Sequence, residues 1–119
     1  MRYMFLVYSV ERPDIDPAML QSVAEQHRAV MGEAAKRGVL ESAEPLKPTT
    51  TATTVRPNNG QPQLLDGPFA ETKEQLAGYY ILNCKDLDEA IEWAKKIPTG
   101  CKGGEGCIEI RPLHEGLAH

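Results

Sequence analysis

The residues of this chain best suited to chemistry are one histidine inside a helical pattern, His27, and a polar cluster after an Asp-Gly-Pro corner: Asp66, Glu71, Lys73 and Glu74. A histidine titrates near neutral pH, so beside a pocket it serves as general acid or base; otherwise it packs and makes one hydrogen bond. Gly67-Pro68 demands a tight corner, with positive φ at the glycine and fixed φ at the proline. Asp66 then either caps its own turn or contributes a carboxylate to a polar lip, and the Glu/Lys cluster is either part of that lip or a solvated loop. Lys73 and Arg111 are the cations that can anchor an anionic or carbonyl-bearing small molecule; Arg111 alternates with Ile110 and shares a face with Glu109, which alternatively neutralises it. Tyr8, with Tyr79 or Tyr80, brings a hydroxyl toward an interior. No G-x-S-x-G elbow occurs, and the cysteines have no basic neighbour in sequence, so no nucleophile stands out.

These groups must be held by regular elements. Arg2 to Ser9 reads as a strand, with Tyr3, Phe5 and Val7 on one face and Met4, Leu6 and Tyr8 on the other. Asp16-Pro17 is a cap followed by proline at the first helical position. The helix it starts places Leu20, Val23, Ala24, His27, Val30, Met31 and Ala34 on one stripe, and Gly38 stops it. Val39 to Leu46 reads as a strand, and β-branched Thr49 to Arg56 as another. Asn58-Asn59-Gly60 folds Gln61 to Leu65 back on it as a hairpin that delivers the chain to Asp66. Leu76 to Cys84 is a strand whose neighbouring Tyr79 and Tyr80 face opposite sides. Asp86 and Glu89 form a capping box for a second helix that Pro98 ends. Gly100 to Gly106 is a glycine-rich connection outside any P-loop context, and Cys107 to Leu113 is the last strand.

The order is β-α-β, a hairpin, then β-α-β: a ferredoxin-like α+β fold, a four-stranded antiparallel sheet with two helices on one face, in a single domain spanning 1–119. Two helices cover one face only, yet the first strand is apolar on both. A second copy packed sheet to sheet is the simplest cover, so a homodimer with a closed, barrel-like interior is expected.

With 119 residues and a net charge of −4, the chain offers no field for phosphate backbones, so nucleic acid is not an expected partner. No apolar run approaches a membrane span and no secretory leader is visible, which points to the cytoplasm. Three cysteines, Cys84, Cys101 and Cys107, leave one unpaired, unlike a secreted disulfide framework. Cys101 and Cys107, with His114 and His119, match no zinc-ligand spacing, so neither metal nor cofactor is expected.

The segment from Asp66 to Ile81, DGPFAETKEQLAGYYI, resembles the hallmark of the DGPF family, a branch of the YCII-related proteins. The likeness extends to Met1–Met4 with Tyr8, to Thr51–Arg56, to Asp88–Ala94 and to Ile108–Pro112. It implies a dimeric α+β barrel. Such proteins carry a histidine about three turns before the glycine ending the first helix, the place His27 holds relative to Gly38, and pair it with an aspartate as a proposed catalytic dyad. In many of them that aspartate precedes the proline after the second helix; here Ile97 holds that place, so the dyad needs Asp66 for its carboxylate. Asp66 would orient His27, His27 would move a proton, and Tyr8, Glu71, Lys73 and Arg111 would line the small-molecule site. The resemblance equally implies an alternative, a binding module with a regulatory role, because YCII-related domains also occur joined to extracytoplasmic-function sigma factors.

Overall fold

In the computed structural model, which describes residues 1–99 and 105–115, alternation and capping set the elements. Strand β1 (Arg2–Ser9) leads into helix α1 (Pro17–Lys36), then β2 (Leu40–Pro45), a hairpin of β3 (Thr53–Asn58) and β4 (Gln61–Asp66), β5 (Gln75–Asn83), helix α2 (Leu87–Ala94) and β6 (Gly106–Pro112). The main sheet runs β2-β5-β1-β6 with every pair antiparallel, and β3-β4 form a separate two-stranded sheet. This is the ferredoxin-like order. Placing β5 between β1 and β2 makes those two strands parallel, and α1 crosses over to join them.

Local chemistry explains the ends of the helices. Asp16 accepts from the Ala18 amide at 2.9 Å, with Pro17 as the first helical residue. At the far end the Gly38 and Val39 amides donate to the carbonyls of Ala35 and Ala34, the paired bonds of a Schellman motif. For α2, Asp86 accepts from the Glu89 amide at 2.9 Å, while Glu89 reaches back to the Lys85 amide at the same distance. The chain then tightens through i→i+3 bonds at Lys96 and Ile97, so the regular helix stops at Ala94 while Ile97 is still buried.

The core lies between the helices and one sheet face. Tyr3, Phe5 and Val7 of β1 and Tyr80 and Leu82 of β5 pack under Val30 and Ala34 of α1 and Ala90 and Trp93 of α2. Burying a large apolar side chain here contributes roughly 1.5–3 kcal/mol. The opposite face carries Met4, Leu6, Tyr79 and Ile81, which are only half-buried. Trp93 also joins the helices: Lys96 Nζ stands 4.8 Å from its ring centre and 2.7 Å from Glu33 of α1. Lys96, foremost through its hydrogen bond, holds the Glu33 carboxyl below the ordinary range.

Three local expectations differ from the structure. Thr49–Thr51 form a 3-10 turn instead of strand, because Glu11 takes both the amide and the hydroxyl of Thr49; the extended segment begins at Thr53. Leu20, expected on the buried stripe of α1, is 56% exposed, since the sheet covers only the later turns of the helix. Asp66 belongs to β4, paired with Thr53, one residue beyond the strand expected to end at Leu65, while the corner is at Gly67 with the expected positive φ of +97°. The expected connection from Gly100 to Gly106 lies outside the described residues except for Glu105 and Gly106, and Cys101 and His119 fall outside them altogether. Among the described residues no helix is long and apolar enough to cross a membrane.

One irregularity sets the side-chain phase. Along β1 and β5 the register shifts between Val7 and Tyr8: Val7 faces Gly78, but Tyr8 faces Leu76, leaving Ala77 as the extra residue of a bulge. The freed Ala77 carbonyl accepts from the Leu46 amide at 2.8 Å.

Gly106, where β6 begins, sits at φ +126°, and a Cβ there would lie 2.1 Å from the Tyr8 carbonyl oxygen. Both the backbone conformation and the crowding exclude a side chain. Gly106→Ala is expected to destabilise the fold by about 3 kcal/mol or more, read from urea unfolding midpoints at constant slope. An unchanged midpoint would contradict this packing of β6 on β1.

Candidate functional site

Tyr80 reaches the helix side of the sheet because it alternates with Leu82 and pairs with Phe5 on β1. Its ring is 3% exposed, and a buried phenol needs a hydrogen-bond partner. The polar residue of the α1 stripe supplies it: Tyr80 Oη lies 2.7 Å from His27 Nδ1, with the rings tilted and their centres 5.9 Å apart. Oη is also 3.5 Å from the His27 carbonyl oxygen. Nε2 makes no hydrogen bond among the described residues, yet it is not sealed from solvent.

His27 forms part of the wall of a cleft of about 180 Å³ between α1, β2 and β5. Ala24, Met31, Ala43 and Ala77 make it largely apolar, Arg28 adds a cation, and Glu44 and Pro45 close it beside Gly78. Glu44 and Pro45 approach closely there, a Cβ on Gly78 meeting the Glu44 carbonyl oxygen at 2.9 Å. Burial lowers the His27 pKa below the usual histidine value, since its charged form loses water without gaining an anion. The same burial pushes the Tyr80 phenol up to about 12, so its proton stays on at neutral pH. The pair is therefore a neutral imidazole held by a neutral hydroxyl, with one ring nitrogen left for a ligand.

The other residues singled out from the sequence gather elsewhere. Tyr8 and Lys73 line a second groove, of about 540 Å³, with Phe69, Thr72, Glu74 and Leu76. It opens on the sheet face away from the helices. Tyr8 Oη is 3.4 Å from Glu109 Oε1, and Arg111 Nε is 3.8 Å from Glu109 Oε2, so Glu109 bridges the two. Burial, reinforced by Glu109, raises the Tyr8 pKa. Cys107 stands 3.8 Å from Glu74 Oε1; burial first and then that carboxylate push its thiol up, away from the reactive thiolate. Glu71 lies on the exposed loop between β4 and β5. Asp66 sits at the base of the hairpin opposite Thr53, and within one copy no hydrogen bond or ion pair among the described residues joins it to His27. The structure thus separates His27 from Tyr8, Lys73 and Arg111 by the thickness of the sheet.

Sequence reasoning missed Tyr80 as the partner of His27. The signal was present in the parity of β5, which puts Tyr80 with Leu82, and in the fact that a buried phenol must be satisfied by a polar residue on the facing helix.

Comparison with known proteins agrees with this architecture. A family model described as the YCII-related domain matches residues 1–115. The chain is similar to an uncharacterised protein of Rhizobium meliloti (strain 1021), 42% identical over 85 residues, which are 71% of this chain and 68% of that protein. Among solved structures it is similar to the 5-chloro-2-hydroxyhydroquinone dehydrochlorinase TftG from Burkholderia phenoliruptrix AC1100, in complex with 2,5-dihydroxybenzoquinone. That likeness has a TM-score of 0.52 and 15% identity, covering 98% of this chain and 96% of the other. At that identity it speaks for the fold. With a four-stranded antiparallel sheet under two helices and the family model spanning nearly its full length, the chain belongs to the YCII-related domain family.

Proposed function

We propose that this protein is an enzyme that moves a proton on a small molecule bound in the cleft of His27. The observation that carries the reading is the state of the imidazole: half-buried, neutral, tied at Nδ1 and unengaged at Nε2, in a largely apolar wall. In the tautomer with bare Nε2, His27 takes a proton from an acidic C–H or O–H and becomes imidazolium. The enolate or phenolate left behind is favoured by the Arg28 cation, and the proton returns to the product from the same nitrogen. A cleft of about 180 Å³ is smaller than the roughly 300–1,000 Å³ of sites for drug-sized ligands, which suits a molecule of about one ring. The hydroxylated quinone bound by the structurally similar dehydrochlorinase is of that class.

Within one copy no hydrogen bond or ion pair among the described residues joins Asp66 to His27, so a role for its carboxylate is proposed across an assembly of two copies. The half-buried face of Met4, Leu6, Tyr79 and Ile81 is the surface a second copy would cover, as a homodimer. A second reading, a binding module, is favoured by the groove at the other face, where Phe69 is 75% exposed beside Lys73. In that reading Tyr8, Glu71, Lys73 and Arg111 hold an anionic or carbonyl-bearing ligand and no bond is made or broken.

Three outcomes are expected. In deuterium oxide the wild-type protein should exchange the ring hydrogens of 2,5-dihydroxybenzoquinone and related hydroxyquinones, by removing a hydroxyl proton and delivering deuterium to the ring carbon of the enolate, and His27→Asn should slow this at least about a hundredfold while remaining folded. Equal exchange by the variant, with ligand binding lost instead in Lys73→Ala, would favour the binding module. The exchange rate should hold from neutral pH down past 6.5, the ordinary histidine value, and fall only where the lowered His27 pKa is crossed, because the base is the unprotonated form. A fall centred above 6.5 contradicts the desolvated environment. Leu6→Glu should convert a dimer to a monomer in sedimentation velocity; a wild-type protein that sediments as a monomer removes the second copy from the scheme.

A further inference from the structure

Resting on the reading of His27 as the proton-moving group, we propose that Tyr80 is its positioning residue: by turning one O–H between two acceptors, it selects the imidazole tautomer presented to the cleft. Both acceptors belong to His27 itself, Nδ1 at 2.7 Å and the backbone carbonyl oxygen at 3.5 Å. When the hydroxyl donates to Nδ1, the neutral ring carries its proton on Nε2 and offers the cleft a donor. When the hydroxyl turns to the carbonyl, its oxygen accepts from Nδ1–H, and Nε2 becomes a bare lone pair. The 2.7 Å contact fits either direction of donation; the first arrangement, in which the hydroxyl donates over 2.7 Å and not 3.5 Å, is the resting one in this proposal.

A carboxylate in the place of Tyr80 would behave differently. It accepts only, so it would hold the proton on Nδ1 in every state, and its charge would raise the histidine pKa. The phenol does neither, and its own high pKa keeps it from ionising. The groups around the ring leave this device undisturbed. Arg28 on α1 is a fixed cation, Glu44 on β2 is exposed at the cleft edge, Tyr79 on β5 turns to Ser42 at 3.5 Å, and β1 contributes only Val7.

The consequence is a site that answers to its ligand. A carbonyl oxygen entering the cleft finds Nε2–H and is polarised by it. An acidic C–H or O–H is met by the other tautomer, reached when a solvent proton taken at Nδ1 gives the imidazolium, the hydroxyl turns to the carbonyl keeping its own proton, and the Nε2 proton then leaves to solvent, so that one proton enters and one departs. Protons are conserved on Tyr80 throughout. The rotation needs no backbone movement, because both acceptors lie within reach of one hydroxyl position.

The test uses the full chain labelled with ¹⁵N-histidine, with two-bond proton–nitrogen correlation spectra above the titration range and His27 assigned by its loss in His27→Asn. Wild-type protein should show well-separated shifts, Nδ1 unprotonated and hydrogen-bonded, Nε2 protonated. Tyr80→Phe, which keeps the ring in the core, should move both nitrogens toward the averaged values of free imidazole and slow hydroxyquinone exchange about tenfold or more. Identical His27 shifts in wild-type and variant overturn the proposal. So does a variant whose shifts average while its exchange rate is unchanged, since the hydroxyl would then only satisfy its own burial. The reading beneath is tested separately: if His27→Asn exchanges at the wild-type rate, proton transfer by His27 fails whatever the nitrogen shifts show.

Discussion

A phenol enclosed under a helix cannot be left without a partner, and much of this structure follows from that requirement. Leaving the Tyr80 hydroxyl unmatched would cost about 1–3 kcal/mol, so the sheet and α1 must be placed for His27 to meet it. The placement is strict. Phe5 opposite Tyr80 fixes the height of β5 against β1, Val30 and Ala34 fix the seat of α1 on both, and the Schellman closure at Gly38 and Val39 sends the chain into β2 beside the same cleft. A histidine placed by these constraints is oriented before any ligand arrives, and its free nitrogen is aimed by packing.

The two faces of the sheet have different physics. On the helix side, Tyr3, Phe5 and Leu82 are buried, and the Tyr80–His27 pair is internally matched. On the far side, Glu74, Cys107, Glu109 and Arg111 contact one another at longer range and in water, where each ion pair contributes little. Preorganisation therefore belongs to the His27 cleft, whereas the loop-side groove is shaped by exposed groups that can adapt to what they meet. This contrast is why the enzymatic reading rests on the first site and the binding reading on the second.

How much could be read from residues alone depended on whether the information was local. Alternation in Arg2 to Ser9, the Asp16-Pro17 start and Gly38 stop, the Asn59-Gly60 turn and the Asp86 cap are short-range signals, and each element they mark is present. Thr49–Thr51 escaped because β-branched residues suit a strand unless a distant side chain intervenes, and Glu11 does. The buried stripe of α1 was legible, but its extent was not, since Leu20 outruns the sheet beneath it. His27 stood out as the polar member of that stripe. Its partner did not, because pairing it with Tyr80 requires the register of two strands and the docking of a helix, none of which is encoded within a few residues of either. Glu109 beside Arg111 was legible for the opposite reason: they are two apart on one strand.

The bulge at Ala77 acts as a phase shift in the readout of a single strand. Upstream of it Leu76 joins Tyr8 on the groove face, and at it Ala77 becomes wall of the His27 cleft, so β5 serves two sites on opposite faces from adjacent positions. A substitution at Leu76 therefore acts on the groove and one at Ala77 on the cleft, while a change in length by one residue before Gly78 would shift which side chain serves which. The strand's spelling can drift; its counting cannot.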